Sequence, residues 1–138
     1  MFLVAEPKEP ALRGCDPMGC GHYLASRGAR SHKGIDFEAK VGSIVSSHVD
    51  GMISKIGIPY ADPKKSRFKY VEIVSGGVQH RFFYCQPLDS FDIGQRVSIG
   101  QPFATVQHIA GEHEGMKNHI HYEVKNSGNY LDPQEYLR

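Results

Sequence analysis

From Ile35 onward the chain alternates between short runs of β-branched or aromatic residues and clusters of turn residues. GIDFEA, SIVSSHV, GMISKIG, FKYVEIVS and VQHRFFYC each read as a strand, and DSFDIGQRV, GQPFATV and HIHYEVK continue the style. In HIHYEV the polar residues recur at every second position. His119, His121 and Glu123 share one face, and Ile120, Tyr122 and Val124 share the other. Such a strand buries its apolar face and turns its polar face to a groove. Residues 1–14, with Pro7, Pro10 and Gly14, read as an irregular lead-in. CDPMGCGHY and ASRGARSHKG read as glycine-punctuated loops, and DPKKSRFK (62–69) as a solvated hairpin loop. Near the end, LDPQEYL offers Asp132 as a cap and Pro133 at the first helical position, which predicts one or two helical turns. The pattern predicts an all-β fold: a single domain over residues 1–138 built of packed antiparallel sheets, with long loops around a groove.

Composition narrows the function more than the fold. A chain of 138 residues suits one core. Its net charge of +1 gives no electrostatic case for nucleic acid or for a membrane surface. No apolar run approaches the roughly 20 residues a membrane helix needs. The start, MFLVAEPKEP, has neither the basic region nor the long apolar stretch of a signal peptide. Of the three cysteines, Cys15 and Cys20 lie close together and Cys85 stands apart. The C-x4-C pair is compatible with one disulfide, with half of a zinc site that includes His22, or with free thiols.

The chemistry concentrates in two motifs. His119 and His121 lie about 7 Å apart along their strand, close enough to serve one metal and its water together. Upstream, SHKGID places His32 and Asp36 four residues apart, with Gly34 between them to let the backbone bend. His32, Asp36 and one histidine of the HxH would give zinc three ligands and leave an open position. Zinc so held makes water a nucleophile near neutral pH. With eight histidines in the chain, either motif alone is weak evidence. Both together, in this order and in a β-rich chain, are much stronger.

Three segments carry a resemblance to a known family. SRGARSHKGIDFEAKVGSIVSSHVDGMISKIG, VSIGQPFATV and NHIHYEV resemble, in that order, the signature segments of the lysostaphin-like (LytM-type) zinc metallopeptidases. The likeness runs from about Gly19 to Val124. It implies zinc on His32, Asp36 and His121, with His119 acting beside the water as a catalytic residue. It also implies cell-wall peptide cross-links as substrate. One position departs from the family. Its members carry a second catalytic histidine in a Y-x-H-L motif, and counting back from Gly94–Gln95 places that position at Gln86. Glutamine hydrogen-bonds but shuttles no proton. His80 shares a strand face with Tyr84 and Gln86 if the strand is continuous, yet six extended residues put it about 20 Å away. His108 and His113 lie in the loop before the HxH and are the other stand-ins.

CDPMGCGHY, SRGARSHKGID and FFYCQPL also resemble the leukocyte chemotaxin-2-like branch of that family, which keeps zinc without peptidase activity. That likeness implies a Cys15–Cys20 disulfide and leaves Cys85 as a free thiol facing the core. Two functions follow: a zinc endopeptidase acting on peptidoglycan, or a zinc-stabilised binding module. The partner is a peptidoglycan peptide or another protein. The family's habits point to a phage virion or a bacterial envelope assembly, in the periplasm or outside the cell. Arg30, with Arg27, is either a fork for a substrate carboxylate or part of a solvated loop. Tyr84 is a candidate donor to an oxyanion, or a plug that fills the groove. Asn118 either caps its loop or orients a carbonyl. Glu123 is either a partner to a ligand imidazole or a surface carboxylate.

Overall fold

The computed structural model describes residues 33–112 and 115–137, together with the backbone of five two-residue strands that precede them. Those five are β1 (Leu3–Val4), β2 (Cys15–Asp16), β3 (Gly19–Cys20), β4 (Ser26–Arg27) and β5 (Arg30–Ser31). There follow β6 (Ile35–Glu38), β7 (Ile44–Ser46), β8 (Gly51–Gly57), β9 (Tyr70–Ser75) and β10 (Val78–Phe83). The chain continues through β11 (Cys85–Pro87), β12 (Arg96–Val97), β13 (Pro102–Val106), β14 (His119–Asn126) and β15 (Asn129–Leu131). The remaining elements among the described residues are three short 3-10 turns, so the fold is all-β as expected. No described helix is long and apolar enough to cross a membrane.

Two antiparallel sheets enclose the core. The larger runs β12-β8-β9-β10-β14-β15, and β6 shares the far edge of β14 with β15. The smaller runs β1-β7-β13-β11. Each strand of the large sheet sends alternate residues inward, which is why short β-branched runs suffice. Ile35, Phe37, Ile53, Val71, Ile73, Phe82, Ile120, Tyr122 and Val124 meet Val45, Phe103 and Val106 from the small sheet. Phe82 and Phe103 bridge the two layers at 5.2 Å between ring centroids. Gly76 and Gly77, both at positive φ, close the β9–β10 hairpin. Residues with side chains resist two successive left-handed positions, so the two glycines set the register of this pair.

Several expectations are corrected. The lead-in is not wholly irregular, because Leu3–Val4 pairs with Val45 and Ser46 along the edge of the small sheet. CDPMGCGHY and the segment before His32 contain paired strands, β2 with β3 and β4 with β5. VQHRFFYCQPL is not one strand. It breaks at Tyr84, whose φ is +69°, and crosses from the large sheet into the small one. DPKKSRFK is more than a solvated loop. Asp62 caps a 3-10 turn at Pro63–Lys65, and Phe68 is fully buried. The C-terminal expectation holds. Asp132 accepts from the Gln134 amide and Pro133 opens a 3-10 turn.

Candidate metal centre

Pairing of β6 with β14 puts Asp36 directly opposite His121, and Glu38 opposite His119. The alternation read from the sequence is present: Ile120, Tyr122 and Val124 are fully buried in the core, while His119, His121 and Glu123 occupy the other face. On that face His121 Nδ1 lies 2.9 Å from Asp36 Oδ1, and its Nε2 lies 2.9 Å from Glu123 Oε1. Burial works to lower the His121 pKa. Hydrogen bonds to Asp36 and Glu123, and their charges, outweigh it and raise the pKa to about 9. The two carboxylates thus favour positive charge on the imidazole between them, the same field that a cation would meet.

His119 is buried beside this pair. Its Nδ1–H donates to the Lys117 carbonyl at 2.7 Å, which leaves Nε2 on the site side, 3.8 Å from Asp36 Oδ2. Gly34 lies under the His121 ring. A Cβ there would fall 2.9 Å from two ring atoms and 2.2 Å from the Tyr122 carbonyl oxygen, so backbone and imidazole approach as closely as they do only because this residue has no side chain.

Aromatic rings wall the face. Phe83 meets His121 edge-on at 5.1 Å and stacks on Tyr70 at 4.9 Å. Tyr84 stands perpendicular to His119 at 5.5 Å, and its hydroxyl is 3.3 Å from that of Tyr60. The left-handed turn at Tyr84 brings its ring to this side. It also removes His80 from any shared face. His80 is buried in the core, with Nδ1 2.7 Å from the Tyr122 hydroxyl, so it is not a stand-in for the missing histidine. Gln86 lies exposed on β11, opposite Thr105 in the smaller sheet.

The structure therefore brings together Asp36, His119, His121, Tyr84 and Glu123. Glu123 receives the imidazole hydrogen bond that was one of its two readings. Asn118 proves to be a backbone staple: Oδ1 accepts from the Ile109 and Ala110 amides, and Nδ2 donates to the Ala39 and Gln107 carbonyls. His108 is exposed beside Gly111. Cys85 is a buried free thiol, and Cys15 is paired opposite Cys20 in backbone register. His32, His113 and the side chain of Arg30 lie outside the described residues, as do the side chains of Cys15 and Cys20. Among the described residues no group of three or more His, Cys, Asp or Glu forms a complete metal cage. The donor set nonetheless suits zinc. One carboxylate and one imidazole face each other across a ladder, with the second ring nitrogen already held by a carboxylate.

Sequence reasoning passed over Tyr60, Phe83, Glu72 and Arg81, which complete this face. A signal was present for two of them: Glu72 interrupts the apolar run YVEIV, and Arg81 alternates with His80 and Phe82.

Comparison with known proteins agrees with this fold. The profile of Peptidase family M23 matches residues 30–133. Leukocyte cell-derived chemotaxin-2 of Bos taurus is 30% identical over 136 residues, covering 99% of this chain and 85% of that protein. Among solved structures, Helicobacter pylori Csd3 superposes with a TM-score of 0.67 at 23% identity, over 99% of this chain. This chain spans only 33% of that one. The catalytic domain of the prophage-encoded M23 protein EnpA from Enterococcus faecalis gives a TM-score of 0.63 at 18% identity, covering 84% of this chain and 88% of that one. At these identities the structural matches speak for the fold alone.

Proposed function

The chain belongs to peptidase family M23, and on that premise we propose that it is a zinc-holding module that engages a peptide and hydrolyses it poorly. The observation that carries this reading is the cross-strand pair Asp36–His121 seated over Gly34. With His32, these two residues would hold the ion. Zinc, when bound, supplies Lewis acidity towards a water and a peptide carbonyl. The chain's own groups must then move protons. His119, anchored through Nδ1 to the Lys117 carbonyl, offers Nε2 as a base facing Asp36. Gln86 occupies the place of the family's second histidine in the sequence and cannot act as a general acid or base. A missing general acid or base costs about 10²–10⁴ in rate. The Tyr84 phenol, beside His119 and paired with Tyr60, is placed to hydrogen-bond a bound peptide. Arg30 is assigned to the peptide's carboxylate, and Cys15 and Cys20 to a disulfide that holds the β2–β3 hairpin. The match with a chemotaxin over 99% of the chain supports a binding role.

The second reading is a peptidoglycan endopeptidase of a phage virion or bacterial envelope. It is favoured by the retention of His119 against Asp36, an arrangement a pure binding module does not need.

Metal analysis and cleavage of purified peptidoglycan, on wild type, His119→Ala and Gln86→His, test both. Stoichiometric zinc with turnover at or near background in wild type, rising by about 10²–10⁴ in Gln86→His, is the expected result. Chelator-sensitive turnover in wild type that is lost in His119→Ala and not raised by Gln86→His would establish the endopeptidase instead. Absence of zinc from the wild type would overturn both readings.

A further inference from the structure

One polar row crosses the same face of the large sheet and ends at His121. Glu72 on β9, Arg81 on β10 and Glu123 on β14 stand directly opposite one another in register. Ser54 Oγ donates to Glu72 Oε1 at 2.8 Å. Arg81 Nε donates to Glu72 Oε2 at 2.6 Å, and Arg81 Nη1 lies 3.8 Å from Glu123 Oε2. The remaining Glu123 oxygen accepts from His121 Nε2 at 2.9 Å. Both carboxylates are nearly buried, at 4% and 5% exposure.

The row is a poor device for stability alone. Removing charges from water costs several kcal/mol per ion, and well-packed apolar residues in place of a buried ion pair are often neutral or stabilising. A Glu–Arg–Glu row in the middle of a sheet therefore invites a role other than holding strands together. Its geometry supplies one. Among the described residues Arg81 is the cation paired with Glu123 on the side away from His121, and without it Glu123 could swing off the ring. With Arg81 pinned by Glu72, Glu123 has a fixed oxygen for Nε2. The ring is then oriented so that Nδ1, and not Nε2, faces Asp36.

We infer that Glu72, Arg81 and Glu123 form a positioning relay that fixes the ring of His121, reserving Nδ1 for the metal. This rests on the zinc reading above. Arg81 is a positioning residue and touches neither the metal nor the peptide.

The sign of one substitution separates this from simple electrostatics. Arg81 is a cation near a cation site. If it acted only through its charge, Arg81→Met would tighten zinc. A positioning relay demands the opposite, a loss of about ten- to hundredfold in zinc affinity, as for other residues that orient metal ligands. The measurement is a zinc competition titration against a chromophoric chelator on the full chain, with circular dichroism to confirm folding. Lys55→Met serves as a control, since it removes a cation that stands opposite Glu72 on the same face and acts on it through charge, leaving the Arg81 hydrogen bond in place. It should leave zinc affinity within about twofold of wild type. If Arg81→Met does not fold, Arg81→Lys keeps the charge and loses the fork that reaches both carboxylates, so it too should weaken zinc. The ring ¹⁵N shifts of His121 in the zinc-loaded wild type should show a proton retained on Nε2. Equal or tighter zinc binding by a folded Arg81 variant, or a proton on Nδ1, would overturn the relay while leaving the zinc reading in place. A wild type that takes no zinc would overturn the zinc reading itself.

Discussion

Gly34 shows how much of the site turns on a single hydrogen atom. A methyl group there would press on the Tyr122 carbonyl at 2.2 Å and on the His121 ring at 2.9 Å. The carbonyl belongs to a central ladder and cannot retreat, so the loop carrying Gly34 must move away from Asp36. Gly34→Ala should destabilise the fold by about 3 kcal/mol, the upper end for overpacking, and lower the melting temperature on the order of 10 °C. Zinc affinity should fall with it. A variant that melts like the wild type would mean that the close approach is not needed. The reason for glycine between His32 and Asp36 was half legible in the sequence. The need for a bend could be read from spacing, but the imidazole under which it fits comes from a strand 87 residues further along (121 − 34). The same distance explains why Glu123 had two readings. Period two put it on the histidine face, and only the position of the imidazole showed that it accepts a hydrogen bond.

At the scale of elements, strand alternation was the reliable guide and strand continuity was not. HIHYEV kept its two faces because both edges of β14 are paired and no residue in it leaves extended geometry. VQHRFFYCQPL lost its continuity at Tyr84. A left-handed tyrosine costs about 1–2 kcal/mol in isolation, and no local rule predicts that the chain will accept it. Packing does so, through the rings of Tyr60, Phe68 and His119 around it. Beyond the break, alternation restarts and sends Cys85 into the core, where it is fully buried. Burial raises the thiol's pKa well above its ordinary value. The native protein should therefore leave Cys85 unlabelled by a thiol reagent at pH 8 over hours, with prompt labelling on adding denaturant. Mass analysis after digestion reads this directly and separates Cys85 from Cys15 and Cys20. Rapid labelling of Cys85 in the native state would mean that β11 opens readily from β13.

At the scale of the whole molecule, the core contains a polar joint that no motif announced. The Tyr122 hydroxyl lies 2.7 Å from His48 Nε2 and 2.7 Å from His80 Nδ1. A phenol donates once and accepts here once, so one histidine presents an N–H and the other a lone pair. The ring that accepts from the phenol must be neutral for the joint to close. It ties the segment after β7 to the middle of the large sheet, and Tyr136 from the C-terminal turn packs edge-on against His80 at 5.4 Å. Burial lowers the His80 pKa to about 4. Burial, and then the neighbouring His80, lower that of His48 to about 3. In the unfolded chain each titrates near 6.5. Below that pH the unfolded state takes up protons that the native state refuses, so stability is full above about 6.5 and drains as pH falls towards 4 and 3. At pH 5 the loss is on the order of 2 kcal/mol per histidine. His121 opposes this loss slightly between about pH 7 and 5.5, where the unfolded chain is still taking up the proton that the native state already holds, and adds no slope below that. Its native pKa is raised to about 9, so in the metal-free protein it is charged in both states once the pH is well below 6.5. Glu72 is opposed by burial but held below its ordinary value by Arg81 and Ser54, so its loss begins near and below pH 4.5. Denaturant titrations of the metal-free protein between pH 7 and 4.5 should show a falling midpoint, and His80→Gln should flatten that fall while lowering stability at pH 7. An unchanged slope in the variant would place the acid sensitivity elsewhere than in this joint.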